Sequence, residues 1–343
     1  MRTLDFDYEL PAHRIAQEPA EPRDSSRLLV LDRSSGQIDH RRFREIGDYL
    51  REGDLLVVNE TRVLPARLRG EKKDTGGAVE VLLLRERYTG TWECLVKPGR
   101  RLKPGAEMVF GDGIVEGTVL DVLPESGARV IRFEATGRDL LDAFRQVGEV
   151  PLPPYITRPL DDPERYQTVF ASDERSAAAP TAGLHFTDEL LARLQEQGVR
   201  LARVELDVGL DTFRPVEEDD PAAHKMHSEH FRVGAKAAEA IEETRRKGGR
   251  VIAVGTTTTR ALESAALQDG TVSPTEGATD LFILPGFKFR VVDALVTNFH
   301  MPRSTLLMMV SAFAGRKQVL DAYRVALEEG YRFLSFGDAM LIL

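Results

Sequence analysis

The sequence predicts an α/β main domain interrupted by a small all-β, barrel-like domain, and three features lead there. Residues 66–135 read as short β segments parted by glycine turns, with almost no helical periodicity. Beyond Gly137, helix and strand patterns alternate, the signature of an α/β sheet. The opening residues carry strand-like runs and one short helix, so they match the C-terminal part and not the β-rich middle. The expected organisation is a discontinuous α/β domain, 1–65 plus 151–343, with a barrel-like insert over 66–150. Two consecutive domains divided near residue 150 are the alternative.

Taken in order, RLLVLD (27–32) and DLLVVN (54–59) read as strands and FREIGDYL (43–50) as a short helix. The β-rich part contributes AVEVLLL, TWECLVK, AEMVF, GTVLDVL and ARVIRFE. RDLLDAFRQVG (138–148) follows as a helix, and PLPPY (151–155) forces an extended exit. FTDELLARLQEQG (186–198) is a cleaner helix: Thr187 caps its start, Asp188 and Glu189 favour the positive dipole end, and Gly198 closes it. VRLARVELDVG is a strand, AKAAEAIEETRRKGG an amphipathic helix, RVIAVGT a buried strand, and TTRALESAAL a helix from Thr258. ALVTNF is a strand, STLLMMVSAFAG an apolar helix, RKQVLDAYRVALEEG a surface helix, and YRFLSFGDAMLIL a closing strand.

With 343 residues, 42% of them hydrophobic, the chain can bury a real core, which excludes wholesale disorder. No run approaches the ~18 apolar residues of a membrane helix. MRTLDFDYEL is acidic where a signal peptide would be basic, and the single cysteine, Cys94, can build neither an internal disulfide nor a thiolate cluster. A cytoplasmic protein is expected. The net charge of −9 argues against a coat of positive charge for nucleic acid, but leaves room for a local basic patch.

Several polar clusters stand at strand ends. VIAVGTTTTRALES runs a strand into Gly255, four threonines and a helix bearing Arg260; free N–H groups and hydroxyls there suit an anion or the polar edge of a nucleoside. It is neither a P-loop nor a GxGxxG fingerprint, and a threonine-capped structural turn is the plainer alternative. VTNFHMPRSTLL gathers Asn298, His300, Arg303 and Ser304 where an open α/β sheet binds ligands. AAPTAGLHF offers Thr181, Gly183 and His185, and AAHKMHSEHF offers His224, His227, Glu229 and His230. Their spacing matches no familiar zinc pattern, so acid–base work or hydrogen bonding is the better expectation. A proline-bounded loop holds Arg23 and Asp24, and Asn59, Thr61 and Arg62 follow a strand. KPGRRLKPG sets Lys97, Arg100, Arg101 and Lys103 around two turns; with Arg67 and Arg69 it is the best basic patch for a nucleic-acid backbone, a solvated turn being the alternative. These residues alone point to an α/β enzyme with a nucleoside-like ligand.

Together PRDSSRLLVL, GDLLVVNETRVLPARL, WECLVKPGRRLKPG, APTAGLHF, HKMHSE, GTTTTRALES, TDLFILPGFKF, VTNFHMPRSTLLMMVSAFAG and GYRFLSFGDAMLI resemble the bacterial S-adenosylmethionine:tRNA ribosyltransferase-isomerase family of queuosine biosynthesis, over nearly the whole chain and in order. The resemblance implies transfer and isomerisation of the ribosyl group of S-adenosylmethionine onto 7-aminomethyl-7-deazaguanine at the tRNA wobble position, giving epoxyqueuosine, adenine and methionine. S-adenosylmethionine is then a co-substrate, and neither metal nor other cofactor is implied. The inserted barrel also fits. Two departures stand out: Arg175-Ser176 where the family usually reads Gly-Ser, and Asp207 in Leu206-Asp207-Val208-Gly209 where many members carry a histidine.

On that reading His185, His227 and His300 are the proton-transfer candidates, with Glu229 orienting or accepting. Thr256, Thr257, Thr258 and Arg260 hold the anionic or nucleoside portion, Thr181, Asp280, Asn298 and Arg303 complete the pocket, and Arg23 and Asp24 rank second. Lys97, Arg100, Arg101 and Lys103 meet the tRNA. A monomer is expected. The competing readings are a methyltransferase that uses the same sulfonium, for which no GxGxG-like turn is present, and a non-catalytic RNA-binding module.

Overall fold

A computed structural model of the chain describes residues 1–124, 126–209, 215–226 and 228–343. The chain forms two compact units, one of Met1–Arg62, Pro153–Asp173 and Ala179–Leu343, the other of Val63–Leu152 and Glu174–Ala178. The second unit thus includes a short segment, Glu174–Ala178, that the sequence leaves with the α/β part.

The first unit begins with β1 (Arg27–Leu31), β2 (Ile38–Arg42) and β3 (Leu55–Asn59), followed by the short β4 (Thr61–Val63). FREIGDYL is helical as expected, but as a 3-10 turn over Phe43–Tyr49 that buries Phe43 and Ile46. The barrel strands are β5 (Arg67–Lys72), β6 (Ala78–Tyr88), β7 (Thr91–Lys97), β8 (Glu107–Phe110), β9 (Val115–Val122) and β10 (Arg129–Ala135). They pair antiparallel throughout in the order β5-β6-β7-β10-β9-β8, and β5 meets β8 to close the ring. Gly70 sits at the closure, opposite Phe110; a Cβ there would stand 2.2 Å from the Val109 carbonyl, so only glycine lets the two strands approach. Alternating burial along most of the strands fills the barrel with Leu68, Val81, Leu83, Cys94 and Met108, and β10, whose first three residues are all buried, adds Ile131. Helix α1 (Leu140–Val147), capped by the Asp139 carboxylate on the Leu141 N–H at 2.9 Å, adds Phe144 edge-on to Trp92 and Phe133.

After the two-residue β11 (Gly148–Glu149) and the short β12 (Asp173–Ser176), the α/β pattern resumes. It runs through α2 (Asp188–Glu196), β13 (Arg200–Leu206), β14 (Glu229–Val233), α3 (Ala235–Arg246), β15 (Val251–Val254), α4 (Thr256–Ala265), β16 (Thr275–Thr279), β17 (Ala294–Asn298), α5 (Thr305–Ala314), α6 (Arg316–Glu328) and β18 (Ala339–Ile342). Nine strands join in one sheet, ordered β16-β14-β13-β3-β15-β17-β18-β1-β2. β3, β15, β17 and β18 are buried at every position, as strands covered on both faces must be, which explains their unbroken apolar runs. Three expectations change in detail. Strand pairing in YRFLSFGDAMLIL is confined to its last residues, α4 starts two residues earlier than Thr258, and EHFRV forms β14 where the sequence offered only a histidine cluster.

Sheet direction decides where polar groups meet. β13, β3, β15 and β17 are mutually parallel, so Leu206, Asn59, Val254 and Asn298 end at one edge. β18 runs against β17, and β14 against β13, which brings the starts of β18 and β14 to that same edge.

At the opposite edge Asp54, completely buried, ties β3 to β15. Its carboxylate accepts from Arg250 Nη2 at 2.5 Å and Nε at 3.1 Å, and from the Arg51 and Arg250 backbone N–H groups. Burial alone would raise its pKa, but the Arg250 and backbone hydrogen bonds hold it below the usual carboxylate value. Asp54→Ala leaves Arg250 without its counter-charge and should cost about 3 kcal/mol in urea unfolding. In the parent this stabilisation is complete above about pH 4 and fades as pH falls through the depressed native value, so the deficit of the variant should narrow in acid.

Candidate functional site

The edge where β3, β13, β15 and β17 end holds two adjoining open clefts, whose non-atom space, open solvent included, is about 340 and 330 Å³. Thr181, Asn298, His300 and Leu306 line both. The first continues to Gly255, Thr256 and Thr257 at the start of α4, the second to Tyr155, Phe299, Leu334 and Ser335. Strand ends and the loops after them thus supply the walls, as in other open α/β sheets.

Asn298, the last residue of β17, organises the shared wall. Its Nδ2 donates to the Leu334 carbonyl at 3.1 Å and to His185 Nε2 at 3.3 Å, while Oδ1 accepts from Thr181 Oγ1 at 3.3 Å. Because the carbonyl can only accept, the amide orientation is fixed, and His185 Nε2 must be the bare nitrogen. Nδ1–H then donates to Ser26 Oγ at 2.8 Å, and the ring stacks on Phe43. Burial, with the Arg332 and Arg23 charges adding to it, pushes the His185 pKa down to about 3. This imidazole is neutral and both nitrogens are occupied. It anchors the wall.

His300 is held differently. Its backbone N–H donates to Tyr323 Oη at 3.0 Å, and its carbonyl accepts from Tyr8 Oη. Nε2 shares a hydrogen with Thr297 Oγ1 at 2.7 Å, whereas Nδ1 has no hydrogen-bond partner among the described residues. Burial lowers its pKa to about 3 as well. The expectation of imidazoles titrating near neutrality is therefore corrected at both positions: desolvation keeps them uncharged.

Of the four threonines, two face inward to the helix and two outward to the cavity. Thr258 and Thr259 donate back to the carbonyls of Val254 and Gly255. That removes the Thr258 hydroxyl from the ligand-holding set. Thr256 and Thr257 line the first cavity. Arg260, 3% exposed, does not reach out to an anion either: it donates to Glu229, to the Leu281 carbonyl at 3.1 Å and to the Thr279 carbonyl at 3.4 Å. Glu229 in turn accepts from the Gly209 N–H at 3.0 Å. The pair locks β14 and β16 to α4 and holds the Gly209 N–H beyond β13.

The remaining candidates stand outside these walls. Arg23 donates to the carbonyls of Gln167 and Glu164, at 2.6 and 2.8 Å, and Asp24 beside it is half-buried. Arg303 is exposed, 3.8 Å from Asp7, and Asp280 is exposed after β16. His224 meets Glu218 at 2.9 Å and His230 meets Glu276 at 3.3 Å. Asp207 lies 3.9 Å from His230, off the cavity. His227 lies outside the described residues. The sequence missed Ser26 as a partner of His185, and also Thr297, Tyr155 and Ser335. Only the serine-rich PRDSSR loop and the strand-end position of Thr297 gave any hint.

In the barrel, Lys97, Arg100, Arg101 and Lys103 are all exposed, with no ion-pair partner among the described residues. Their loop is pinned from beneath by Arg129, whose guanidinium donates to the carbonyls of Leu102 at 2.7 Å, Gly99 and Gly127. Arg67 and Arg69, expected to extend the basic patch, are instead neutralised across strands by Glu80 and by Glu149.

The profile of the family described as "Queuosine biosynthesis protein" matches residues 3–342. Proteins named S-adenosylmethionine:tRNA ribosyltransferase-isomerase from Symbiobacterium thermophilum and Desulfitobacterium hafniense are 58% and 56% identical to this chain, each over all of both chains. A crystal structure of S-adenosylmethionine tRNA ribosyltransferase from Thermotoga maritima, 43% identical, superposes with a TM-score of 0.57 and covers 99% of this chain and 100% of its own. On this full-length agreement, the chain belongs to the queuosine biosynthesis protein family.

Proposed function

We propose that this chain transfers the ribosyl group of S-adenosylmethionine to 7-aminomethyl-7-deazaguanine at the tRNA wobble position and isomerises it, releasing adenine and methionine. It acts in the cytoplasm, as a monomer, with S-adenosylmethionine as co-substrate and no other cofactor. Among the described residues no helix is long and apolar enough to cross a membrane. The observation that carries the reading is the pair of joined cavities at the strand ends, with His300 and Asn298 on their common wall. A donor with a nucleoside at one end and an amino acid at the other needs two such compartments.

The chemistry then fits the residues. A sulfonium acidifies the adjacent C–H, so removal of the C5′ proton leaves a stabilised ylide whose collapse opens the ribose and expels adenine. His300 is the proton carrier the geometry leaves available: in the tautomer that donates from Nε2 to Thr297, Nδ1 turns its lone pair toward the ligand. His185 serves as an anchor, and Glu229 as a positioning residue through Gly209. The exposed cations at Lys97, Arg100, Arg101 and Lys103 suit the phosphates of an anticodon stem-loop.

A methyltransferase should present a glycine-rich turn after its first strand, whereas the β15–α4 turn has Gly255 alone. An RNA-binding module would leave the cavities without a purpose. Incubation with S-adenosylmethionine and tRNA carrying the precursor base, followed by mass analysis, should give the rearranged nucleoside with free adenine and methionine. S-adenosylhomocysteine as product would overturn the reading.

Two further outcomes are expected. Replacing both Arg100 and Arg101 with alanine should lower the slope of log tRNA affinity against log salt by about 1.5–2. The affinity for S-adenosylmethionine should stay unchanged. His300→Gln should reduce single-turnover transfer by about a hundredfold. Because both imidazoles stay neutral down to about pH 3, the parent rate should show no limb near pH 6.5 that His300→Gln or His185→Gln abolishes.

A further inference from the structure

We infer that the first turn of α4, together with the Thr257 hydroxyl, binds the carboxylate of the methionine part of S-adenosylmethionine, leaving the adenine to the adjoining cavity. This rests on the donor named in the preceding subsection and adds the direction in which that donor lies.

The Thr257 side chain is the first ground. It is 93% buried, since only 7% of the residue is exposed, and its Oγ1 has no hydrogen-bond partner among the described residues. A buried hydroxyl without a partner is costly, so each such group calls for an explanation, and a missing ligand is one. Its position is informative too. A Cβ on Gly255 would stand 3.6 Å from Thr257 Oγ1 and 3.6 Å from the Ala182 Cβ. The hydroxyl therefore sits at the mouth of the helix, beside the cavity that Gly255, Ala182 and Thr257 all line.

The helix is the second ground. α4 spans ten residues, and the N–H groups of its first turn have no carbonyl within the helix to receive them. Gly255, at φ +95°, has no side chain to cap them, and the first turn carries no acidic residue. Thr258 and Thr259 spend their hydroxyls on carbonyls further back. Free N–H groups and the positive end of the helix dipole are thus directed at the cavity, with hydroxyls from Thr256 and Thr257 beside them.

Charge then selects the ligand. Among the described residues neither cavity is lined by lysine or arginine, and Arg260, one turn along α4, is matched by Glu229. A phosphate would go without a counter-ion here. A single carboxylate, carried on a molecule that brings its own ammonium and sulfonium, does not require one. The other cavity is bordered by Tyr155, Phe299, Met301 and Leu334, with Ser335 bonded to Tyr155 at 2.7 Å, a setting for a flat base with a polar edge. His300 and Asn298 lie between the two, where the sulfonium and ribose would be.

The test uses Thr257→Val, which keeps the shape and removes only the hydroxyl, with Thr257→Ser as the rescue and Thr257→Ala in reserve should valine disturb folding. Titration calorimetry on the full chain would use L-methionine, adenine, S-adenosylmethionine and its decarboxylated analogue as separate probes. Expected for Thr257→Val are about tenfold weaker binding of S-adenosylmethionine and L-methionine, and unchanged binding of adenine and of the decarboxylated analogue. Its melting temperature should equal or exceed that of the parent, because an unsatisfied polar group has gone. Thr257→Ser should bind like the parent. Equal affinity of Thr257→Val and parent for S-adenosylmethionine, or an equal loss for the decarboxylated analogue, would overturn the placement alone. A parent protein that binds neither S-adenosylmethionine nor its products would overturn the donor assignment instead.

Discussion

The carboxamide of Asn298 is the contact on which the site depends. It closes β17, and in one stroke holds the 3-10 turn at Thr181, the imidazole of His185 and the carbonyl of Leu334. The first two share one 3-10 turn, Thr181–His185, while Leu334 comes from a distant stretch and presents its carbonyl from a left-handed backbone at φ +69°. Such a conformation is sparsely populated in residues other than glycine and persists where its surroundings hold it. Through His185 the same network reaches Ser26, just ahead of β1. Asn298, Thr181, His185 and Ser26 thus form one connected polar network at the wall between the cavities, and its rigidity follows from the cost of breaking any member in a dry interior.

What the sequence made legible was whatever had a local cause. Runs such as LLVVN and VIAV show as strands because burial on both faces demands apolar residues throughout. The barrel shows because glycine turns recur between short alternating segments. β14 and β16 escaped because they lie toward the edge of the sheet and carry Glu229, His230, Arg232 and Glu276, residues that read as loop or ligand set. Their strand character comes from pairing with each other and with β13, not from a pattern of their own.

Site residues follow the same division. Arg260 beside four threonines reads as an anion receptor, but its partner Glu229 lies 31 positions earlier in the chain, and no spacing rule reveals such a pair. Arg67 and Arg69 look like part of a basic patch until strand register sets Glu80 beside them. Within GTTTTR the distinction between structural and ligand-facing hydroxyls depends on where α4 starts. With Thr256 as its first residue, Thr258 and Thr259 reach carbonyls four positions back, while Thr256 and Thr257 stand before any free carbonyl of the helix. A shift of two residues in the predicted start hides that difference.

The neutral imidazoles have a consequence for the kind of substrate this pocket can hold. A sulfonium is a fixed cation that cannot shed its charge, and a second cation at 4 Å would oppose it by about 4 kcal/mol at a protein-like dielectric. An imidazolium on the shared wall would therefore compete with the donor. Burial removes that competitor by holding His185 and His300 uncharged. The guanidinium of Arg260 is cancelled by Glu229 and faces the β14–β16 side. The first turn of α4, at the far end of the first cavity, adds the positive end of a helix dipole. A molecule with its anionic group at one end and its cationic sulphur further along is oriented by such a field, whereas a uniformly cationic pocket would reject it.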